Sequence, residues 1–286
     1  TKLNSIDISG LKGISSGVAI DLSKVKHTDA QTLNMIVVDI QGSDAAEKIT
    51  ANTADAAVTA IKLSGDLGGG ANIVTVTPTS AATGITSIDL SGLSATGGTL
   101  EGTITIAAEL TKVTTVKGSA GKDTVDITAI KNTDNVTIDL GAGDDTFKGG
   151  VLVASKQVTV TGGEGNDTFN LTASVVSNAT KADFTTITDF STGDSITFAA
   201  SGITTYGNVG TVAGVTLKDA IDAVLTATDE ANTVYGFTYN NESYLLYNST
   251  TGTNTGTVAT DIVVKLSGNV DLDSISLNSD TGVTIA

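Results

Sequence analysis

The feature that most constrains how this chain can fold is a glycine-rich turn that returns every 22 residues. The segments KGSAGKDTVD (117–126), DLGAGDDTFK (139–148) and TGGEGNDTFN (161–170) align so that Gly121, Gly143 and Gly165 coincide. So do Asp123, Asp145 and Asp167, and then Thr124, Thr146 and Thr168. Val125, Phe147 and Phe169 come next as apolar residues aimed at a core, and the strands ahead align as Thr115-Val116, Thr137-Ile138 and Thr159-Val160. One turn repeated at a fixed interval predicts stacked coils in which equivalent residues superpose. Gly-Asp turns can simply connect strands in any β-protein, but three copies in constant register fit one chemistry better. Calcium takes about six to eight oxygens at about 2.3–2.6 Å, many of them carbonyls, and glycine permits the dihedrals that aim several carbonyls at one point. The aspartate then adds a carboxylate as the chain enters the next strand.

Elsewhere apolar residues alternate with Thr, Asp and Ser in short runs bounded by Gly, Asn, Asp and Ser, which is a strand pattern. A phrase recurs within it, as in Ile20-Asp21-Leu22-Ser23, Val38-Asp39-Ile40-Gln41-Gly42 and Ile61-Lys62-Leu63-Ser64-Gly65, and nearly verbatim in SIDISGL (5–11) and SIDLSGL (87–93). Two aliphatics flank a charge, so they share one face of a strand. Irregularly spaced rungs of this kind predict a parallel β-solenoid with loops of varying length. The alternative is a β-sandwich whose strands look alike because Thr, Val, Ile and Asp dominate. The stretch Asp66–Val74 is a faint further copy of the turn, with Asn72 where the aspartate would stand.

One helix is predicted from Val215 to about Ala227, where Val215, Leu217, Ala220, Ile221, Val224 and Leu225 fall at helical spacing. A β-hairpin comes directly after it, turning at Asn240-Asn241, residues that tolerate left-handed geometry. Tyr235, Phe237, Tyr239, Tyr244 and Tyr247 make this an aromatic corner, read as a satellite core, with a sugar platform as the alternative.

Composition narrows the function classes. Lys and Arg total 15 against 31 Asp and Glu, a formal charge of −16, which argues against nucleic acid or an anionic membrane as partner and for a cation. With no Cys, disulfides and thiolate zinc sites are excluded. No apolar run is long enough to span a bilayer as a helix. The single histidine, His27, has no nucleophile–base pattern around it, no H-E-x-x-H occurs, and the paired carboxylates lie in the turns, so no catalytic residue is assigned. The chain begins on Thr1 without a basic-then-apolar leader and is expected to be the C-terminal part of a longer protein.

Gly162-Gly163-Glu164-Gly165-Asn166-Asp167-Thr168-Phe169-Asn170 fits the G-G-x-G-x-D-x-U-x pattern of calcium-binding RTX repeats throughout. The fit is partial at 140–147, where Leu140 replaces the first glycine, and weaker at 118–125, where Ser119 replaces the second. A tandem nonapeptide roll has a coil of about 18 residues, so the longer coil here implies one calcium turn per coil and two or three ions in all. Lys117 and Lys122 crowd the first turn and weaken it. The Asp-Phe…Gly-Asp segment 183–198 resembles the stretch that often succeeds such repeats, and Asp189 lies 22 residues beyond Asp167. With the helix, hairpin and final TDIVVKLSG-containing stretch, residues 112 to 286 resemble the C-terminal region of RTX-type surface-layer proteins of Gram-negative bacteria.

That resemblance implies a mostly β, calcium-stabilised parallel β-solenoid or β-roll. Rungs without strong calcium motifs occupy residues 1–110, an RTX-like calcium-binding roll 111–200, and a C-terminal cap with helix, hairpin and type I secretion signal 201–286. The candidate Ca2+ residues are Asp123, Gly141, Gly143, Asp144, Asp145, Gly163, Glu164, Gly165, Asn166, Asp167 and Asp189. It also implies type I secretion to the extracellular cell surface, calcium-dependent folding there and assembly with lattice neighbours of the same chain. Attachment to cell-surface polysaccharide would use a region N-terminal to this sequence. The alternatives are the calcium-binding export and folding module of a larger secreted hydrolase, or an adhesin spacer.

Overall fold

The structure is a computed structural model that describes residues 5–7, 9–10, 18–25, 35–108, 110–130, 134–150, 156–174, 184–228, 230–250, 261–268, 270–279 and 281–285. His27 lies outside them.

The rungs alternate between two sheets. One receives Ser5–Asp7, Met35–Gln41, Ala60–Asp66, Ser87–Ser94, Thr115–Lys117, Val136–Ala142, Val158–Glu164 and Thr185–Ile187. The other receives Val18–Asp21, Glu47–Thr50, Gly70–Val76, Gly98–Thr105, Lys122–Asp126, Thr146–Lys148, Thr168–Asn170 and Ser195–Thr197. All of these pair in parallel with the rung one coil away. This is an arrangement compatible with a β-solenoid, and not the hairpin-linked antiparallel pairing of a sandwich.

Alternation explains the burial. Val116, Ile138, Val160 and Ile187 superpose along one sheet, and Val125, Phe147, Phe169 and Ile196 along the other. All eight are at most 1% exposed, so each coil contributes an apolar step to a shared interior. Phe190 meets Phe169 edge-on at 6.3 Å. Among the described residues the larger apolar cluster runs from Leu22 to Val283, and both sheets continue across residue 110.

Beyond Thr185–Ile187 the pairing changes. Ile262–Leu266 joins in parallel, Glu242–Asn248 and Thr233–Tyr239 are added antiparallel, and Thr205–Thr211 lies at the edge. The other sheet ends in antiparallel Gly282–Ile285 and Ile275–Asn278. The hairpin turns where expected, with Asn240 at φ 52° and Asn241 at φ 61°.

The helix spans Leu217–Thr228 and begins later than the apolar spacing predicts. Thr216 caps it: Asp219 N donates to Thr216 Oγ1 (3.2 Å), and Thr216 N donates back to the Asp219 carboxylate (2.8 Å). Val215 therefore precedes the cap and is 93% exposed. Ala220, Ile221, Val224 and Leu225 form a second apolar cluster with Tyr235, Phe237, Tyr239 and Tyr244, so these aromatics are packed away from solvent. Among the described residues no helix is long and apolar enough to cross a membrane.

Candidate metal centre

The three turns superpose as their spacing predicts: Thr124 pairs with Thr146 and Thr146 with Thr168, while Gly141 pairs with Gly163. Stacking brings the backbones so close that side chains have no room. Gly163 adopts φ +103°, and a Cβ on it would lie 1.7 Å from Gly141 O. Gly165, at φ +129°, would press on Gly143 O at 2.0 Å. Glycine is required at both positions.

Beneath these turns runs a column of buried carboxylates. Asp123, Asp145 and Asp167 are each 1% exposed. The carboxylate of one coil accepts the amide of the aspartate one coil earlier: Asp123 N donates to Asp145 Oδ1 (2.7 Å) and Asp145 N to Asp167 Oδ1 (2.9 Å). The column continues through Asp194, which accepts Asp167 N at 2.8 Å and is 3% exposed. A constant 22-residue spacing does not foresee this member. The coil between Thr168 and Ser195 is 27 residues long, so Asp194 and not Asp189 stacks on Asp167. The signal was the Gly193-Asp194 pair, one residue shorter than Gly165-Asn166-Asp167.

Serines close both ends. Ser119 N and Oγ donate to Asp123 Oδ2 (2.5 and 2.9 Å), and Ser191 N and Oγ donate to Asp194 Oδ2 (2.8 and 3.2 Å). The serine that interrupts the glycine pattern in the first turn is thus a cap for the column.

The other candidates lie outside the column. Asp144, Glu164 and Asn166 are exposed; Asp144 Oδ1 accepts Asn166 N (2.9 Å), and Glu164 contributes its backbone carbonyl to Gly143 N (2.7 Å). Asp189 accepts Gly162 N (2.9 Å) and Gly163 N (2.8 Å), holding the double-glycine turn from the next coil.

Stacked anions in a dry interior resist ionisation. Burial pushes the Asp145 carboxyl up to about 7, and Asp123, Asp167 and Asp144 raise it further against the opposing Asp123 N–H. Burial likewise lifts Asp123 to about 6 and Asp167 to about 6, the latter also through Asp194, Asp189 and Asp144. Asp194 is raised as well, chiefly by burial.

Among the described residues no three His, Cys, Asp or Glu side chains converge as a metal cage. Any cation here would take backbone carbonyls beside the carboxylates, the mixed donor set that calcium accepts. Asp145 Oδ2 is buried and has no hydrogen-bond partner among the described residues, an orphaned acceptor that such an ion would satisfy. The donor set therefore fits an oxygen-preferring divalent cation and offers nothing to a thiophilic one. No protein-family model matches the chain, and no curated protein matches it.

Proposed function

We propose that this chain is a calcium-dependent structural subunit of an extracellular bacterial coat, exported by type I machinery and assembling with copies of itself into a two-dimensional lattice. The observation that carries the calcium part is the column Asp123–Asp145–Asp167–Asp194, buried beneath glycine turns with one carboxylate oxygen of Asp145 unsatisfied. Carboxylates one coil apart lie about 4.8 Å from each other along a stack. At an effective dielectric of about 20, two that are ionised repel by about 3 kcal/mol. A divalent ion held by Asp145, Asp167 and the carbonyls of the turns at 141–143 and 163–165 turns that repulsion into attraction. It supplies charge neutralisation and no chemical step.

The same balance suits export. Without calcium, self-repulsion in a chain of charge −16 weakens the compact form; calcium strengthens it, because the ion binds the folded state in preference. The lattice part rests on the resemblance of residues 112–286 to surface-layer proteins and on a fold built of repeated, stacked rungs. Attachment to cell-surface polysaccharide through a region N-terminal to this sequence belongs to the same proposal.

Negative-stain electron microscopy with millimolar calcium and after chelation, alongside circular dichroism, tests the reading. Ordered sheets that form only with calcium are expected. Calcium-driven folding into dispersed particles would transfer the chain to the alternative, a folding and export module of a larger secreted hydrolase or adhesin, and no response would overturn both.

A further inference from the structure

The N-terminal rungs hold a further buried carboxylate that the aspartate column does not include. Glu47 is 1% exposed, at the start of Glu47–Thr50, and its Oε2 has no hydrogen-bond partner among the described residues. Its surroundings repeat those of Asp123 bond for bond. Ser43 N (3.1 Å) and Ser43 Oγ donate to Glu47 Oε1, as Ser119 N and Oγ donate to Asp123 Oδ2. Ala45 N donates to Ser43 Oγ (3.1 Å) as Gly121 N does to Ser119 Oγ (3.2 Å). Glu47 N donates to Asn72 Oδ1 on the next coil (2.9 Å), as Asp123 N does to Asp145 Oδ1 (2.7 Å). Asn72 is 0% exposed and stands where a column aspartate would.

The turns above this pair also approach as closely as those of the aspartate column. A Cβ on Gly42 would meet Leu67 O at 2.0 Å, and one on Gly68, whose φ is +74°, would meet Ser43 O at 2.4 Å. On the following coil Asn72 pairs with Leu100, buried and apolar, so the pattern stops there and is separate from the Asp123 column.

We propose that Glu47 anchors a further calcium site, formed with backbone carbonyls of the turns at 42–46 and 67–70. The unsatisfied Oε2 is the observation that points to a ligand: a carboxylate oxygen this deeply buried is tolerated when a cation compensates it. Carbonyl-rich turns beside a buried carboxylate favour the hard divalent cation. The inference rests on the proposed calcium chemistry of the aspartate column but concerns different residues, so each can fail alone.

The test is the calcium stoichiometry of the full chain by calorimetric titration, with circular dichroism as the folding control. Glu47→Gln keeps the acceptor for Ser43 and removes the charge; it is expected to bind one calcium fewer than the wild type. Asn72→Asp, which completes the likeness to the Asp123–Asp145 pair, is expected to tighten one site by about tenfold or more, and it decides the matter if E47Q does not fold. Unchanged stoichiometry in a folded E47Q, or unchanged affinity in N72D, would overturn the inference and leave Glu47 as a structural acceptor for Ser43. Loss of one ion in E47Q with no loss in an Asp145→Asn, Asp167→Asn double variant would keep this site and remove the column's.

Discussion

Asp145→Asn separates the electrostatic cost of the column from its gain. Asn is isosteric, so its Oδ1 still accepts the Asp123 amide that Asp145 Oδ1 accepts at 2.7 Å. What changes is the charge at a carboxyl whose pKa is raised from 3.8 to about 7. At 1.36 kcal/mol per pH unit, keeping that group ionised in the fold costs about 4 kcal/mol above pH 7 without a cation. Against this relief stands the new Nδ2–H, placed where Oδ2 had no partner, at about 1–3 kcal/mol. Urea denaturation in chelator at pH 7.5 should therefore find D145N more stable than the wild type by about 1–3 kcal/mol. Calcium should reverse the advantage. An ion at a hundredfold excess over its dissociation constant adds about 2.7 kcal/mol per site to the wild type, and D145N should lose most of one such increment. An equal loss of stability in chelator and in calcium would refute the reasoning, because it would make Asp145 an ordinary buried hydrogen-bond acceptor.

The same shifts fix a pH dependence. In chelator, Asp123, Asp145, Asp167 and Asp194 all bind protons more tightly folded than unfolded, so stability should fall as pH rises from about 4 to about 7 and then level off. Saturating calcium should flatten that slope, and urea midpoints across the range check both. Gly163→Ala should cost at least about 3 kcal/mol, from a backbone at φ +103° and a Cβ 1.7 Å from Gly141 O, read as a lower urea midpoint. Phe169→Ala, at 0% exposure, should cost about 3–5 kcal/mol with and without calcium alike, which separates core packing from the metal column.

What the sequence made legible is what local chemistry dictates. Gly-x-Asp-Thr-apolar is a self-contained instruction for a bend, a carboxylate and an inward anchor, so Asp123, Asp145 and Asp167 fall in register without further help. The hairpin at Asn240-Asn241 was legible for the same reason. Coil length was not, because the arc on the far side of each coil can lengthen without disturbing the turn. The next coil grows to 27 residues, which moves Asp194 under Asp167 and sends Asp189 to the glycine amides. Glu47 was hidden because its equivalence to Asp123 lies in hydrogen bonds to Ser43 and Asn72, 25 residues apart from the latter, and its turn lacks the aspartate. The register shift between Lys62 and Ser64, where Ser64 meets Gly92, likewise leaves no trace in the similar phrases at 61–65 and 88–92.

Calcium bound per chain at equilibrium, measured by dialysis of the wild type and of the Asp145→Asn, Asp167→Asn double variant, tests the central claim most directly. The account predicts saturable binding by the wild type below millimolar calcium and fewer bound ions in the double variant while it remains folded. Equal binding by the two chains, or none by the wild type at millimolar calcium, would contradict it.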